Sequence, residues 1–120
     1  MKNRQVGRQG ESLAADYLTR LGYLLLERNF HTRFGEIDLI CRDGQDLVFV
    51  EVKARTSHRF GLPEEAITWS KRRKLRLAIA AYLQVSKLRF RRLRLEVVAI
   101  DLQPETLTPL DIRHIKDIFQ

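Results

Sequence analysis

Two short apolar runs of the chain carry ionisable side chains at positions that a strand core would normally exclude. One run is residues 35–40, with Asp38 in its middle, and the other is residues 49–53, with Glu51 and Lys53. Because an unpaired buried charge is costly, such groups usually have an ionic partner, bind a metal or take part in chemistry. Two carboxylates beside one ammonium group could hold a magnesium ion against a phosphate. A structural ion pair with Lys53 or an arginine is the competing interpretation of Asp38.

Side-chain alternation decides whether these three groups can meet. Glu51 and Lys53 share one face of a strand because successive side chains point to opposite faces. The Asp-Gly pair at residues 43–44 favours a two-residue turn, which places Asp38 opposite Phe49 and on the face of Glu51 and Lys53. A slip of one residue would send Asp38 to the other face of the sheet. The metal site therefore requires a loop with an even number of residues between the two strands, or a compensating β-bulge.

Further acidic candidates lie nearby in the sequence. A helix is predicted from about residue 8 to residue 21, and Glu11 opens its inward-facing stripe of residues at helical spacing. Glu11 is a candidate metal ligand, although a first-turn glutamate also interacts favourably with the helix dipole. Glu36 is expected at the rim of the site rather than on the metal. The expected metal ligands are therefore Asp38, Glu51 and Glu11.

Composition limits the class of protein. A chain of 120 residues with 44% hydrophobic content is expected to form one domain, residues 1–120. We expect no membrane partner, since no apolar run approaches the length of a membrane span and the N-terminus does not resemble a signal peptide. The single cysteine, Cys41, excludes an internal disulfide and a cysteine-rich zinc cluster. A reducing cytoplasm is the simplest predicted location.

Basic residues outnumber acidic ones by 22 to 15, and many of them follow one another around a predicted helix. A clustered basic surface on a small domain favours a polyanionic partner, most often nucleic acid. Alternatives are a solvated helix face, a ribosome-associated surface and attraction to acidic lipid. The residues expected to contact a nucleic-acid backbone are Lys71, Arg72, Lys74 and Arg55.

The hydrophobic periodicity predicts the order helix, three strands, helix, strand, which is a mixed sheet flanked by helices in an α/β domain. Ser70 is the expected cap of the second helix, and residues 104–119 are expected to add a short edge element. Trp69 is predicted to anchor the core or a helix junction rather than to stack on bases. The three histidines share no spacing and are predicted to lie at the surface or in loops.

At these residues the chain resembles the PD-(D/E)xK nuclease superfamily, whose core is a mixed sheet of the restriction-endonuclease-like type. More closely, it resembles the YraN-like uncharacterised bacterial proteins, which are related in fold to archaeal Holliday-junction resolvases. The matching segments are residues 7–11, 28–29, 35–40, 48–53, 70–71, 74–75, 97–100 and 115–119. One departure is Leu95-Glu96, where relatives usually carry Phe-Asp.

The resemblance implies that Asp38 is the motif aspartate, that Glu51 and Lys53 form the (D/E)xK element, and that Glu11 is the first-helix glutamate. It implies a nuclease that uses Mg²⁺ or Mn²⁺ to hydrolyse DNA phosphodiesters, on branched or damaged DNA in repair or recombination. Two alternatives stay open: a nucleic-acid-binding module that keeps the fold without turnover, and an RNA- or ribosome-associated factor. A resolvase acting on a symmetric junction would also require a two-fold homodimer.

Overall fold

In the computed structural model, which describes residues 2–116, five strands form one mixed sheet between two α-helices. The elements in chain order are α1 (Lys2–Arg20), β1 (Leu24–Thr32), β2 (Gly35–Asp43), β3 (Asp46–Arg55), a 3-10 turn (Pro63–Ala66), α2 (Trp69–Ser86), β4 (Leu93–Leu102) and β5 (Pro109–Ile115). The predicted α/β class and element order are confirmed. The predicted edge element is β5, and residues 117–120 lie outside the described part of the chain.

The strands follow their sequence order across the sheet, from β1 at one edge to β5 at the other. Only one neighbouring pair, β3 and β4, is parallel; the other pairs are antiparallel. A parallel pair needs a long crossover connection, and α2 with the segment before it supplies this connection. No helix of the described residues is long and apolar enough to cross a membrane.

The turn between β2 and β3 differs from the predicted one. Asp43 pairs with Asp46, so Gly44 and Gln45 form the turn, rather than Asp43 and Gly44. The positive φ of 61° at Gly44 suits the first turn position, and Asp43 stays in β2, where its carboxylate accepts a hydrogen bond from Arg94 at 2.8 Å. The register differs from the predicted one by two residues, an even number. The prediction that Asp38 lies opposite Phe49 is therefore wrong, but the predicted face is kept.

The sheet separates two apolar layers, and β3 contributes to both. Val48, Val50 and Val52 belong to the layer under α1, whereas Leu47 and Phe49 belong to the layer under α2. This alternation places Glu51 and Lys53 on the α2 side of the sheet.

The second helix begins one residue earlier than its predicted cap. Thr68 is the N-cap, and its side chain accepts a hydrogen bond from the backbone amide of Lys71 at 3.3 Å. Ser70 already lies inside the first turn, so its prediction as the cap is wrong. The predicted buried stripe of α2 is present at Leu75, Ala78, Ile79 and Tyr82, with Leu83 packed beside it.

Candidate metal and nucleic-acid site

Asp38 lies where β2 and β3 separate. The pairing of the two strands runs from the turn as far as Leu39 and Val50. Beyond that pair, the backbone amide of Val52 donates a hydrogen bond of 2.8 Å to Oδ2 of Asp38. A side chain thus satisfies a strand amide at the point where the ladder ends, and this bond fixes the orientation of the carboxylate.

Asp38 and Glu51 are in direct contact through their side chains. Burial raises the pKa of Asp38 well above its ordinary value, and the hydrogen bond to Glu51 and the negative charge of Glu51 raise it further. The amide of Val52 and the ammonium group of Lys53 act in the opposite direction but are weaker. The charge of Glu51 therefore opposes the ionisation of Asp38, and a bound cation would relieve this repulsion.

Glu11 and Glu36 extend this acidic cluster. Glu11, Glu36 and Asp38 each offer an oxygen atom, and these atoms lie within 4.8 Å of one another. Partial burial raises the pKa of Glu11, and the neighbouring Asp38 and Glu36 raise it further against the effect of the hydrogen bond from Asn29. Glu36 belongs to this cluster with a side chain that is 35% exposed, and its place at the rim rather than on a metal stays a prediction.

A close contact between α1 and β3 brings Glu11 to this position. A Cβ atom added to Gly10 would lie only 2.6 Å from the Cβ atom of Ala54. Because neither partner could move aside, glycine allows the helix to approach the strand at this point. The next residue along α1, Glu11, thereby reaches the end of the sheet.

Asn29 holds the two glutamates together, and we did not predict it as a site residue. Its Nδ2 atom donates hydrogen bonds of 2.8 Å to Oε1 of Glu11 and to Oε1 of Glu36. The residue has a positive φ of 52° within β1, a conformation that asparagine tolerates better than most side chains. An asparagine inside a predicted strand was the available sequence signal.

A cavity of about 190 Å³ lies beside this cluster on the α2 side of the sheet. Glu36, Glu51 and Lys53 line it from the sheet, and Lys71 and Lys74 line it from α2. Nζ of Lys53 is 3.9 Å from Oε1 of Glu51, and its side chain is 27% exposed. Asp38 does not line the cavity itself, but it interacts with Glu51 and with Lys53, so the three side chains converge as predicted. The cavity has carboxylates and one ammonium group on the sheet side and two ammonium groups on the α2 side.

The other two predicted nucleic-acid contacts, Arg72 and Arg55, do not line this cavity. Arg72 is half-buried on α2, and its Nε atom is buried without a hydrogen-bond partner among the described residues. Arg55 lines a different cavity, beside His58 and Asp101, so the structure does not group it with Lys71 and Lys74. Trp69 is 84% exposed, so its prediction as a core or junction anchor is wrong.

A second group of ionisable side chains is centred on Glu96, which is fully buried in β4. Glu96 accepts hydrogen bonds of 2.8 Å from the Tyr23 hydroxyl and 3.0 Å from Nε of Arg94, and its Oε1 lies 2.8 Å from Nε2 of His114. Burial alone would raise the pKa of Glu96, but His114, Tyr23 and Arg94 together lower it. The prediction that all three histidines lie at the surface is wrong for His114, whose side chain is 4% exposed.

Arg94 connects this buried group to the β2–β3 turn. Its guanidinium group donates hydrogen bonds of 2.8 Å to the carboxylates of both Asp43 and Asp46. Asp46 also pairs with Arg91, and its pKa is lowered by the two arginines against the opposing effect of burial. Each acidic residue of this group has a cationic or donor partner, so the group is an internal structural network.

The mixed sheet flanked by helices, with carboxylates at the separation of two strands, defines an α/β domain compatible with the restriction-endonuclease-like class. The chain belongs to the uncharacterised protein family UPF0102, whose model matches residues 10–100. This family is part of the restriction-endonuclease-like superfamily, and the resemblance to YraN-like proteins is confirmed.

The similarity to relatives of this family extends over most of the chain. The chain is 51% identical over 98 residues to a UPF0102 protein of Syntrophomonas wolfei, covering 82% of this chain and 85% of the relative. It is 44% identical over 119 residues to a UPF0102 protein of Syntrophus aciditrophicus, covering 99% of this chain and 91% of the relative. A UPF0102 protein of Rhodococcus opacus is 43% identical over 121 residues, covering 98% of each chain.

Proposed function

We propose that this protein is a nuclease that uses Mg²⁺ or Mn²⁺ to hydrolyse DNA phosphodiester bonds. The observation that carries the proposal is a cluster of carboxylates beside a cavity that ammonium groups line. The carboxylates belong to Glu11, Glu36, Asp38 and Glu51, of which Glu36 and Glu51 line the cavity. The ammonium groups of the cavity belong to Lys53, Lys71 and Lys74.

The donor set fits a hard divalent cation. All of its ligand atoms are carboxylate oxygens, which Mg²⁺ and Mn²⁺ prefer over nitrogen or sulfur. Burial and the neighbouring charge of Glu51 raise the pKa of Asp38, and a bound cation would offset both effects. Asp38, Glu51 and Glu11 would hold the ion, with Glu36 at its rim, and the ion when bound polarises a phosphate oxygen and lowers the pKa of a bound water.

The side chains of this chain have distinct roles in the proposal. The amide of Val52 fixes the Asp38 carboxylate before a substrate arrives, so little reorganisation is required. Lys53 orients the attacking water or donates to a phosphate oxygen as negative charge accumulates on it. Lys71 and Lys74, one turn apart on α2, bind backbone phosphates without reading the base sequence.

A second candidate is a nucleic-acid-binding module without turnover. The observation in its favour is the bridge from Asn29 to Glu11 and Glu36, because this bridge holds two of the carboxylates together without an ion. In this case the lysines would bind nucleic acid and the acidic cluster would be structural.

A metal-dependent cleavage panel tests the two candidates. Purified protein is given Mg²⁺ or Mn²⁺ with junction, flap, linear single-stranded and duplex DNA, and with RNA. We expect the wild type to nick DNA in a metal-dependent way. The nicking rate should fall more than about a hundredfold in Asp38→Asn and in Lys53→Met, which is more than the loss of an outer-shell partner of a metal usually causes. Binding of the same substrates should survive in both variants.

The matched control is Asp16→Asn, which makes the same chemical change at an exposed position of α1. Binding without nicking in any metal would favour the second candidate. Nicking that is as fast in Asp38→Asn as in Asp16→Asn would overturn the proposed site.

A further inference from the structure

The only tryptophan of the chain, Trp69, begins α2 and is 84% exposed. A single exposed apolar residue is common on protein surfaces and needs no explanation by itself. Trp69 differs because of its position. It lies two residues from Ile67 and two residues from Lys71, and both of these line the cavity beside the acidic cluster.

Cationic residues follow this ring in the first turns of α2. Residues three and four positions apart share a helix face, so the exposed Arg73 follows Trp69 on its own face, whereas the half-buried Arg72 has its Nε atom inside the protein. Lys71 and Lys74 project about 140–160° around the helix axis from Trp69, toward the cavity, so a strand that reaches both must pass the first turn of α2. An exposed ring beside a row of cations is the combination that proteins use to bind single-stranded nucleic acid, in which bases stack on aromatic side chains while cations bind phosphates.

We propose that Trp69 stacks against an unpaired base of the nucleic acid whose backbone occupies the cavity. This inference rests on the proposed function and names its substrate class: DNA with unpaired nucleotides next to the phosphate that is cleaved. A base inside a continuous duplex has both faces covered by its neighbours, so it offers no surface to the indole ring. A single strand, a flap or the branch point of a junction has unpaired bases whose faces the ring can contact.

Charge favours nucleic acid over a second copy of this chain as the occupant of this surface. The residues that follow Trp69 and Ser70 are four successive cations, Lys71, Arg72, Arg73 and Lys74. A two-fold contact through Trp69 would bring these cations against their own copies, which is destabilising. A polyanion neutralises them instead.

The single tryptophan allows a direct test, because all tryptophan fluorescence comes from this position. Short labelled oligonucleotides, single-stranded or duplex, are titrated into the protein with EDTA present, so that binding is measured without cleavage. We expect saturable quenching by the single strand and little quenching by the duplex. Trp69→Ala should weaken single-strand binding about tenfold, as expected for the loss of one stacked base.

Val85→Ala is the matched control. Val85 is 70% exposed on the same helix, about 24 Å along its axis from Trp69, so its truncation should leave both affinities unchanged. Equal weakening of single-strand and duplex binding in Trp69→Ala would overturn the inference, as would label anisotropy that shows binding without any quenching. Quenching that depends on protein concentration without oligonucleotide would assign the ring to self-association and would also overturn it.

The two proposals fail in different ways. If neither oligonucleotide changes the label anisotropy, the proposed function fails together with the inference. If both bind and metal-dependent nicking occurs, but Trp69→Ala binds both as tightly as Val85→Ala, only the stacking role fails.

Discussion

Two of the regions in which this molecule gathers acidic side chains treat them in opposite ways. Glu96 is fully buried, yet its pKa is lowered, because Arg94, His114 and Tyr23 all stabilise its charged form. Asp38 is only partly buried, yet its pKa is raised, because its nearest side-chain partner is another carboxylate. Burial opposes ionisation in both places, so the partners decide the outcome.

The comparison separates a structural role from a binding role. In the Glu96 network the opposite charges come from the protein itself, so the network is complete when the chain folds. In the Asp38 cluster Lys53 lies beside Glu51 and Arg28 acts on Glu11, but Asp38 and Glu11 still have raised pKa values, so folding leaves repulsion that a bound cation could relieve. Clusters with strongly shifted pKa values occur most often at functional sites, which is why we place the proposed chemistry at Asp38 and not at Glu96.

The largest expected effect is the loss of the Glu96 carboxylate. Glu96→Gln keeps the size of the side chain but turns an amide donor or a neutral oxygen toward Arg94, so a buried cation loses a partner. We expect the free energy of unfolding in urea to fall by about 3 kcal/mol. Glu105→Gln makes the same change at an exposed position and should have almost no effect.

The pH dependence of this loss has a defined sign. Because the folded protein lowers the pKa of Glu96, the carboxylate contributes stability above its unfolded-state value of 4.5, and this contribution disappears as pH falls through the folded-state value. The difference between wild type and Glu96→Gln should therefore shrink in acid. A difference that is constant from neutral pH to acid would contradict the network as the cause.

The same chemical change should have the opposite and smaller effect at Asp38. In Asp38→Asn the amide oxygen can keep the hydrogen bond from Val52 while the amide nitrogen donates to Glu51, so the carboxylate repulsion disappears. We expect a gain of about 1 kcal/mol in the free energy of unfolding in EDTA at neutral pH. Addition of Mg²⁺ should stabilise the wild type and not the variant, since only the wild type gains from binding the ion.

The sign of the pH effect is also reversed at Asp38. Its pKa is raised on folding, so the wild type loses stability relative to Asp38→Asn as pH rises from the ordinary aspartate value of 3.8 toward the folded-state value. Thermal unfolding in EDTA at several pH values measures this. If Asp38→Asn is less stable than wild type at neutral pH, the Asp38 cluster is a structural network like that of Glu96.

The two regions also differ in how far the sequence predicts them. Asp38, Glu51 and Lys53 were predicted to meet because strand alternation has a period of two, and an error of two residues in the turn leaves every face unchanged. Glu11 was predicted from its place on a helical stripe. These signals are local, and the fold needs only to bring the elements together.

The features that were missed depend on contacts between distant segments. The network of Glu96 joins residues 73 positions apart at Tyr23 and 18 positions apart at His114, and no local pattern marks such pairs. Asn29 points into the site through a backbone conformation that strand periodicity does not reveal. Trp69 was expected to anchor the core or a helix junction, but its ring is exposed.

The smallest expected effect concerns the basic side of the proposed cavity. If about five phosphates are neutralised on binding, log affinity should fall against log salt with a slope near −4.5, and Lys71→Ala should make the slope shallower by about 0.9. Arg20→Ala removes an exposed cation at the end of α1 and should leave the slope unchanged. Because Asp38 contacts no phosphate directly in the proposal, Asp38→Asn should also keep the wild-type slope in EDTA. A slope altered equally by Lys71→Ala and Arg20→Ala would mean that the net charge of the whole protein, and not the cavity between α2 and the sheet, attracts the nucleic acid.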